Sequence, residues 1–246
     1  MQGLGYTRST RQPDHLLLTP DTFVRAPLPG MKNATAVVHV SPAIGARFTQ
    51  YTAEFEPGGT FASASDAQRF IYVIEGEIRV TSSGVDHHLL PGAYCYLAAS
   101  QLACLAASAV SRAAVIEKPY QSLDNALPPI LVGRESDVTG QSLMGDEALE
   151  VRALVPADPA FDFAVNTMTF QPGAALPMVE IHVMEHGLLM LAGGGIYRLG
   201  ENWYPVTAGD FIWMAPYLPQ WFGALGKTPS KYLIYKDWNR HPLAGA

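Results

Sequence analysis

Apolar residues along the chain fall into short blocks with the alternation or unbroken runs of β-strands, at 46–56, 69–80, 94–99, 103–116, 163–170, 186–199, 210–214 and 230–236. No convincing helix longer than a turn or two lies between them. The pattern predicts an all-β chain of many short strands. The 19 Pro and 22 Gly agree with it, since turns must join those strands.

The blocks repeat. "FEPGG" at 55–59 matches "FQPGA" at 170–174, and "RFIYVIEGEIRV" at 69–80 matches "HGLLMLAGGGIYRL" at 186–199. "LLPGAYCYL" at 89–97 matches "PVTAGDFIWM" at 205–214, and "VIEKPY" at 115–120 matches "LIYKDW" at 233–238. Gly76 falls on Gly193 and Gly92 on Gly209, both pairs 117 residues apart. Single Pro-Gly or Gly-Gly matches arise by chance, but four in one order point to two copies of one β-unit. The division expected is a first barrel with an N-terminal arm at 1–120, a linker at 121–148 and a second barrel at 149–246.

Composition narrows the function classes. With 246 residues, 48% of them hydrophobic and only 15% charged, the chain can bury a sizeable core. A net charge of −6 without a basic cluster argues against nucleic acid as a partner. No apolar run approaches the roughly 18–20 residues of a membrane span. The start, "MQGLGYTRSTRQPDHLLLTP", lacks the continuous apolar segment of a signal peptide. Cys95 and Cys104, the only cysteines, lie in apolar strand-like sequence, so free buried thiols in a reducing cytoplasm are expected.

Candidate chemistry concentrates in "VEIHVMEHG" at 179–187, where Glu180, His182 and His186 are possible metal ligands. On a helix Glu180 and His182 could not share a face, whereas on a strand all three point to one side. The surrounding glycines extend the pattern. Six residues separate Gly173 from Glu180 and six separate His186 from Gly193; Gly209 follows after fifteen more, and Gln220 lies eleven beyond it.

That order and spacing resemble the two signature motifs of the cupin superfamily. Its ligands are usually His, His and Glu at relative positions 0, 2 and 6, with a fourth His after the second motif. Here Glu180 takes the first place, His186 the third and Gln220 the fourth, so the types are permuted while the places are kept. The resemblance implies two tandem antiparallel jelly-roll barrels, a bicupin, with a metal inside the second. Two imidazoles, one carboxylate and one amide carry a single negative charge, leaving a divalent ion net positive and able to act as a Lewis acid. Such oxygen and nitrogen donors suit Mn²⁺, with Fe²⁺ or another divalent ion as alternatives, and the lack of thiolate disfavours structural zinc. Reading His182 and His186 as satisfied core histidines leaves Gln220 unexplained. In the first copy the corresponding positions are Ser63, Ser65, Arg69 and Ala103, no ligand set, so that barrel is expected to be metal-free and to serve packing and assembly.

The departure from the usual ligands is itself informative. Glu-x-His-x-x-x-His-Gly with a downstream Gln, followed by "YLIYKDWNR" at 232–240, closely resembles the (S)-ureidoglycine aminohydrolase family. The likeness extends through "HLLLTPDTFVRAPLPGM" at 15–31 and "IGARFTQY" at 44–51. It implies a manganese enzyme of purine (allantoin) breakdown that forms ureidoglycolate and ammonia. It also implies ligands at Glu180, His182, His186 and Gln220, and substrate contacts at Tyr197, Tyr232 and Lys236. In alternation Tyr232, Ile234 and Lys236 share one strand face. Alone, Lys236 would be a solvated strand-end residue; its place beside Tyr232 favours a role toward a ureido or amino acid substrate.

Other signals are weaker. Gly193–Gly195 lacks the features of a phosphate loop. His87 and His88 are expected at a surface hairpin, Trp213, Trp221 and Trp238 in core or subunit contacts, and "DWNR" at 237–240 as a hydrogen-bonding anchor. Subunits are expected to associate, because bicupins expose edge strands and apolar faces. The alternative enzyme class is a cupin oxidoreductase or dioxygenase acting on a small acid at the same metal. A metal-dependent sensor would carry a DNA-binding helix pair, and none is visible. A storage protein would not need the ligands, the two tyrosines and the lysine.

Overall fold

The structure, a computed structural model, describes residues 6–63, 67–99, 101–123 and 127–240. Ser65 of the first-copy comparison lies outside them. Strands pair antiparallel throughout the described residues. Their only helical pieces are three-residue 3-10 turns at Pro20–Thr22, Pro42–Ile44 and Glu135–Asp137. No helix among them is long and apolar enough to cross a membrane. The all-β expectation holds.

The chain forms two compact units. The unit carrying the first repeat holds residues 24–138 with 154–162 and 239–240, and is built on a 10-stranded sheet. Alternation along Thr49–Ser63 sends Tyr51, Ala53 and Phe55 into a core shared with Ile71, Val73, Leu105 and Val115. Val85–Leu89, bearing His87 and His88, forms a hairpin with Ile78–Ser82 through a turn at Ser83–Gly84. Cys95 is buried in the same core, and burial pushes its thiol up to about 12, which makes it inert.

The unit carrying the second repeat holds residues 6–23, 139–153 and 163–238, in an eight-stranded and a three-stranded sheet. Leu188, Met190 and Ile212 from the larger sheet meet Tyr197, Leu199 and Phe222 from the smaller one across a single core. Buried apolar area of this kind is the main stabilising term, and the unit's cavity opens off it.

Two segments fall differently from the contiguous division read in the sequence. The arm joins the second unit, where His15–Leu18 pairs with Phe211–Met214. Leu17 enters the core there, Arg8 forms a forked ion pair with buried Asp210, and His15 Nε2 lies 2.9 Å from Tyr204 Oη. Within 121–148, Leu131–Arg134 pairs with Ala93–Leu97, and Gln141–Leu143 pairs with Asp146–Ala153. These strands of three or four residues are too short to show a period in sequence.

The repeat glycines explain why the blocks 69–80 and 186–199 each break in two. Gly76 and Gly193 have φ of +75° and +65°, separating Ala67–Glu75 from Ile78–Ser82 and His186–Ala192 from Gly194–Leu199. A Cβ on Gly193 would lie 2.6 Å from the Pro229 carbonyl oxygen, and one on Gly76 would collide with that of Val110. Gly173, at φ +83°, has open space around it. Gly193→Ala is therefore expected to lose roughly 2–4 kcal/mol in denaturant unfolding, through strain plus collision. Gly173→Ala should lose only about 1–2 kcal/mol, from backbone strain alone.

Candidate metal centre and catalytic cavity

The segment carrying Glu180 and His182 is not a continuous strand. Residues 181–185 make no ladder, and Glu180 is joined to Gln220 by an isolated bridge. Glu180 N–H donates to the Gln220 carbonyl at 2.8 Å, and Gln220 N–H returns the bond at 2.9 Å. Tyr217 N–H donates to the His182 carbonyl at 2.6 Å. The two-residue alternation survives nonetheless. Glu180, His182, Met184 and His186 line a cavity of about 160 Å³, while Ile181 and Val183 are exposed. His186 opens the strand His186–Ala192 and pairs with Met214 on one side and Lys236 on the other.

All seven residues singled out from sequence line this one cavity: Glu180, His182, His186, Gln220, Tyr197, Tyr232 and Lys236. Their surroundings set their charge states. Burial pushes the His186 imidazole down to about 3, so the ring is neutral, the form that can bind a metal. Its Nδ1 is buried and, among the described residues, has no hydrogen-bond partner. His182 stacks on His186 with centroids 5.1 Å apart, and its Nε2 lies 3.2 Å from Glu180 Oε2. Tyr197 donates its hydroxyl to Gln220 Oε1 at 2.9 Å, and Tyr232 donates to Met168 Sδ at 3.2 Å. Burial raises both phenols, so they stay protonated. Burial also lowers the Lys236 ammonium, against the opposing pull of Glu180. Its Nζ sits 5.0 Å from the centroid of the Trp238 ring.

Among the described residues, no group of three or more His, Cys, Asp or Glu side chains is already arranged to hold an ion. Glu180 is paired with His182, and the imidazoles stack rather than converge. The donors still fit a divalent ion in type and charge. A neutral orphaned imidazole, a second imidazole, a carboxylate and an amide oxygen border the same small volume.

Both repeats match known domains. Residues 43–120 match an EutQ-like cupin domain, and residues 166–235 match a cupin domain. The chain is 42% identical over 241 residues to a probable (S)-ureidoglycine aminohydrolase of Oryza sativa subsp. japonica, covering 97% of this chain and 78% of that protein. It is 42% identical over 244 residues to the (S)-ureidoglycine aminohydrolase of Arabidopsis thaliana, covering 97% and 80%. The chain belongs to the (S)-ureidoglycine aminohydrolase family. Among solved structures it is similar to protein Ylba from E. coli, with TM-score 0.85, 28% identity and 96% of each chain covered. This member of the family is thus a bicupin, one cupin domain to each repeat.

The first barrel of this bicupin fills the equivalent interior differently. Arg69, on the place of His186, is buried, forms an ion pair with Glu117 and stacks 5.1 Å over Phe61. Glu117 also accepts a bond from Tyr51 at 3.2 Å. Arg69 pairs with Glu117 in register as His186 does with Lys236. Ala103, at the place of Gln220, is a buried apolar residue.

Sequence reasoning missed Leu143, Val151, Asn166, Met168 and Met184 in the cavity wall, while Ile234 lies there on the face it shares with Tyr232 and Lys236. Asn166 left a signal: it is the one amide in the apolar strand Phe163–Phe170, in alternation with Met168. The tryptophans agree with the core reading in part. Trp213 is buried and donates to Glu185, and Trp221 donates to the Leu176 carbonyl. Asn239 and Arg240 of "DWNR" donate to the carbonyls of Asp158, Phe161, Pro159 and Gln121, as an anchor should.

Metal content offers a direct check. After mild chelation and re-addition of Mn²⁺, elemental analysis should find about one tightly held ion per chain, and His186→Ala should lose most of it. Two tight ions per chain, or unchanged content in the variant, would contradict this assignment.

Proposed function

We propose that the protein is a manganese-dependent (S)-ureidoglycine aminohydrolase, converting (S)-ureidoglycine and water to (S)-ureidoglycolate and ammonia in purine (allantoin) catabolism. The names of its relatives support the reaction. The observation that carries the site is the gathering of all seven predicted residues around one cavity. Glu180, His182, His186 and Gln220 would hold the ion, which supplies Lewis acidity when bound. Imidazole and oxygen donors with no thiolate favour Mn²⁺ or Fe²⁺ over a structural zinc.

The remaining residues have distinct tasks. The substrate carbon carries an amine, a carboxylate and a ureido group. Hydrolysis replaces the C–N bond to the amine with a C–O bond from water, and the departing nitrogen must gain a proton. Lys236, its pKa lowered by burial, brings its protonated and neutral forms closer in energy. It can give a proton to the leaving nitrogen and recover one from the entering water. Tyr197 holds the Gln220 side chain through Oε1 and so orients a ligand amide. Tyr232 presents its hydroxyl oxygen to the cavity beside Met168. The first barrel, with Arg69 and Glu117 paired inside it, serves packing and assembly without a metal.

Freshly prepared ureidoglycine should release ammonia with the protein, equally with and without O₂. Chelation should abolish the release and Mn²⁺ restore it. Lys236→Met should turn over at least about a hundredfold more slowly while keeping its Mn²⁺ and fold. Near-normal turnover would make Lys236 a bystander, and absence of ammonia from the wild type would refute the substrate.

The same reading includes a cytoplasmic homo-oligomer. Met178, Val179, Ile181, Val183 and Tyr217 expose apolar side chains around the ligand-bearing segment, a surface that a neighbouring subunit could cover. Light scattering should give a mass well above the 26.6 kDa of one chain at micromolar concentration.

A further inference from the structure

Apart from the candidate metal ligands and Lys236, the cavity wall carries one side-chain amide for which no hydrogen bond is found among the described residues. Asn166 lines the cavity, and among the described residues its side-chain amide has no partner. The other polar groups there have tasks. Glu180, His182, His186 and Gln220 are the candidate metal ligands, and Lys236 is a cation. Tyr197 and Tyr232 spend their hydroxyl protons on Gln220 and Met168. Asn166 alone offers an uncommitted neutral donor and acceptor from the same planar group.

Its register places it between the proposed contacts. Asn166 pairs with Ile234, which lies between Tyr232 and Lys236 on their strand, while Met168 pairs with Tyr232 and Ala164 with Lys236. The first barrel shows what this position holds when no ligand has to fit. There Val115 pairs with Tyr51 and Ile71 as Ile234 pairs with Asn166 and Leu188, so Tyr51 occupies the place of Asn166. The Tyr51 ring fills the interior and its hydroxyl is tied to Glu117. In the second barrel a short amide replaces that ring, leaving both space and an unused pair of hydrogen-bonding atoms.

We propose that Asn166 is the specificity-determining residue that recognises the carbamoyl end of the substrate's ureido group. The inference rests on the ureidoglycine reading above and adds to it the residue that distinguishes a ureido acid from other amino acids. A terminal –CO–NH₂ presents one acceptor and two donors in a plane. The Asn166 carboxamide is its complement: Oδ1 accepts from a ureido N–H, and Nδ2 donates to the ureido carbonyl. A hydrogen-bonding wall discriminates in this way because an analogue that cannot complete the pair leaves a desolvated polar group unpaired. The carboxylate and the leaving amine then face the candidate ligands and Lys236.

The test compares N-carbamoylglycine with N-acetylglycine, which share a carboxylate and differ in a terminal NH₂ against CH₃. Calorimetric titration of the Mn²⁺-loaded wild type should show the carbamoyl compound binding at least about tenfold more tightly. Asn166→Leu should bind the two within about twofold of each other, through loss of affinity for the carbamoyl compound, with Mn²⁺ content and thermal midpoint near wild type. Asn166→Ser, smaller and still polar, gives the same readout should the leucine variant fail to fold. A carbamoyl preference that survives in the folded variant, or is missing from a wild type that releases ammonia from ureidoglycine, overturns the assignment of Asn166 alone. A wild type that binds neither compound and releases no ammonia overturns the proposed function together with it.

Discussion

Two backbone hydrogen bonds between Glu180 and Gln220 organise the second barrel's interior. Residues 181–185 have no ladder of their own, and the segment holding two candidate ligands is held by that bridge, by the Tyr217 N–H bond to the His182 carbonyl and by the Glu185 N–H bond to Asp237. The bridge ties its start to the strand Gln220–Ala224, and the pairing of His186 with Met214 and Lys236 ties its end. Between these fixed points alternation is enough to turn His182 and Met184 inward and Ile181 and Val183 outward. The donors thus stand on a short tether with rigid ends.

The two barrels show opposite ways of handling ionisable groups in an apolar interior. In the first, Arg69 and Glu117 neutralise each other, with Tyr51 adding a hydrogen bond, so the interior is complete. In the second, the same register carries His186 and Lys236, two groups that repel when both are charged. Burial then favours the neutral forms of both. Glu180 offsets the Lys236 charge, and among the described residues the Nδ1 of His186 has no hydrogen-bond partner. An interior left incomplete in this way is receptive to a cation and a polar small molecule. The two interiors differ by a few side chains at matching register positions.

The all-β architecture and the repeat were legible in the sequence because each depends on local rules, whereas the candidate site residues were read from motif spacing together with a family resemblance. Two-residue alternation marks a strand wherever it packs. Gly76 and Gly193 are demanded by a positive φ and a close carbonyl. For the same reason Glu180, His182 and His186 could be placed on one side from the sequence, although their backbone proved to be a tethered bend and not a strand.

What escaped the sequence depends on pairing between distant segments. That the arm at His15–Leu18 belongs with Phe211–Met214, almost two hundred residues away, is decided by which apolar edge is open to Leu17 and by the need of buried Asp210 for Arg8. Neither condition exists in the unfolded chain. Asn166 is likewise an unremarked polar residue until its strand pairs with Ser230–Asp237, which sets it opposite Ile234 and turns it into the cavity. The sequence by itself determined which strands could form and which side chains were fit to bind a metal. Only the tertiary structure decided which strands became neighbours, and so which groups were left inside without partners, because register between distant segments is a property of the assembled sheet.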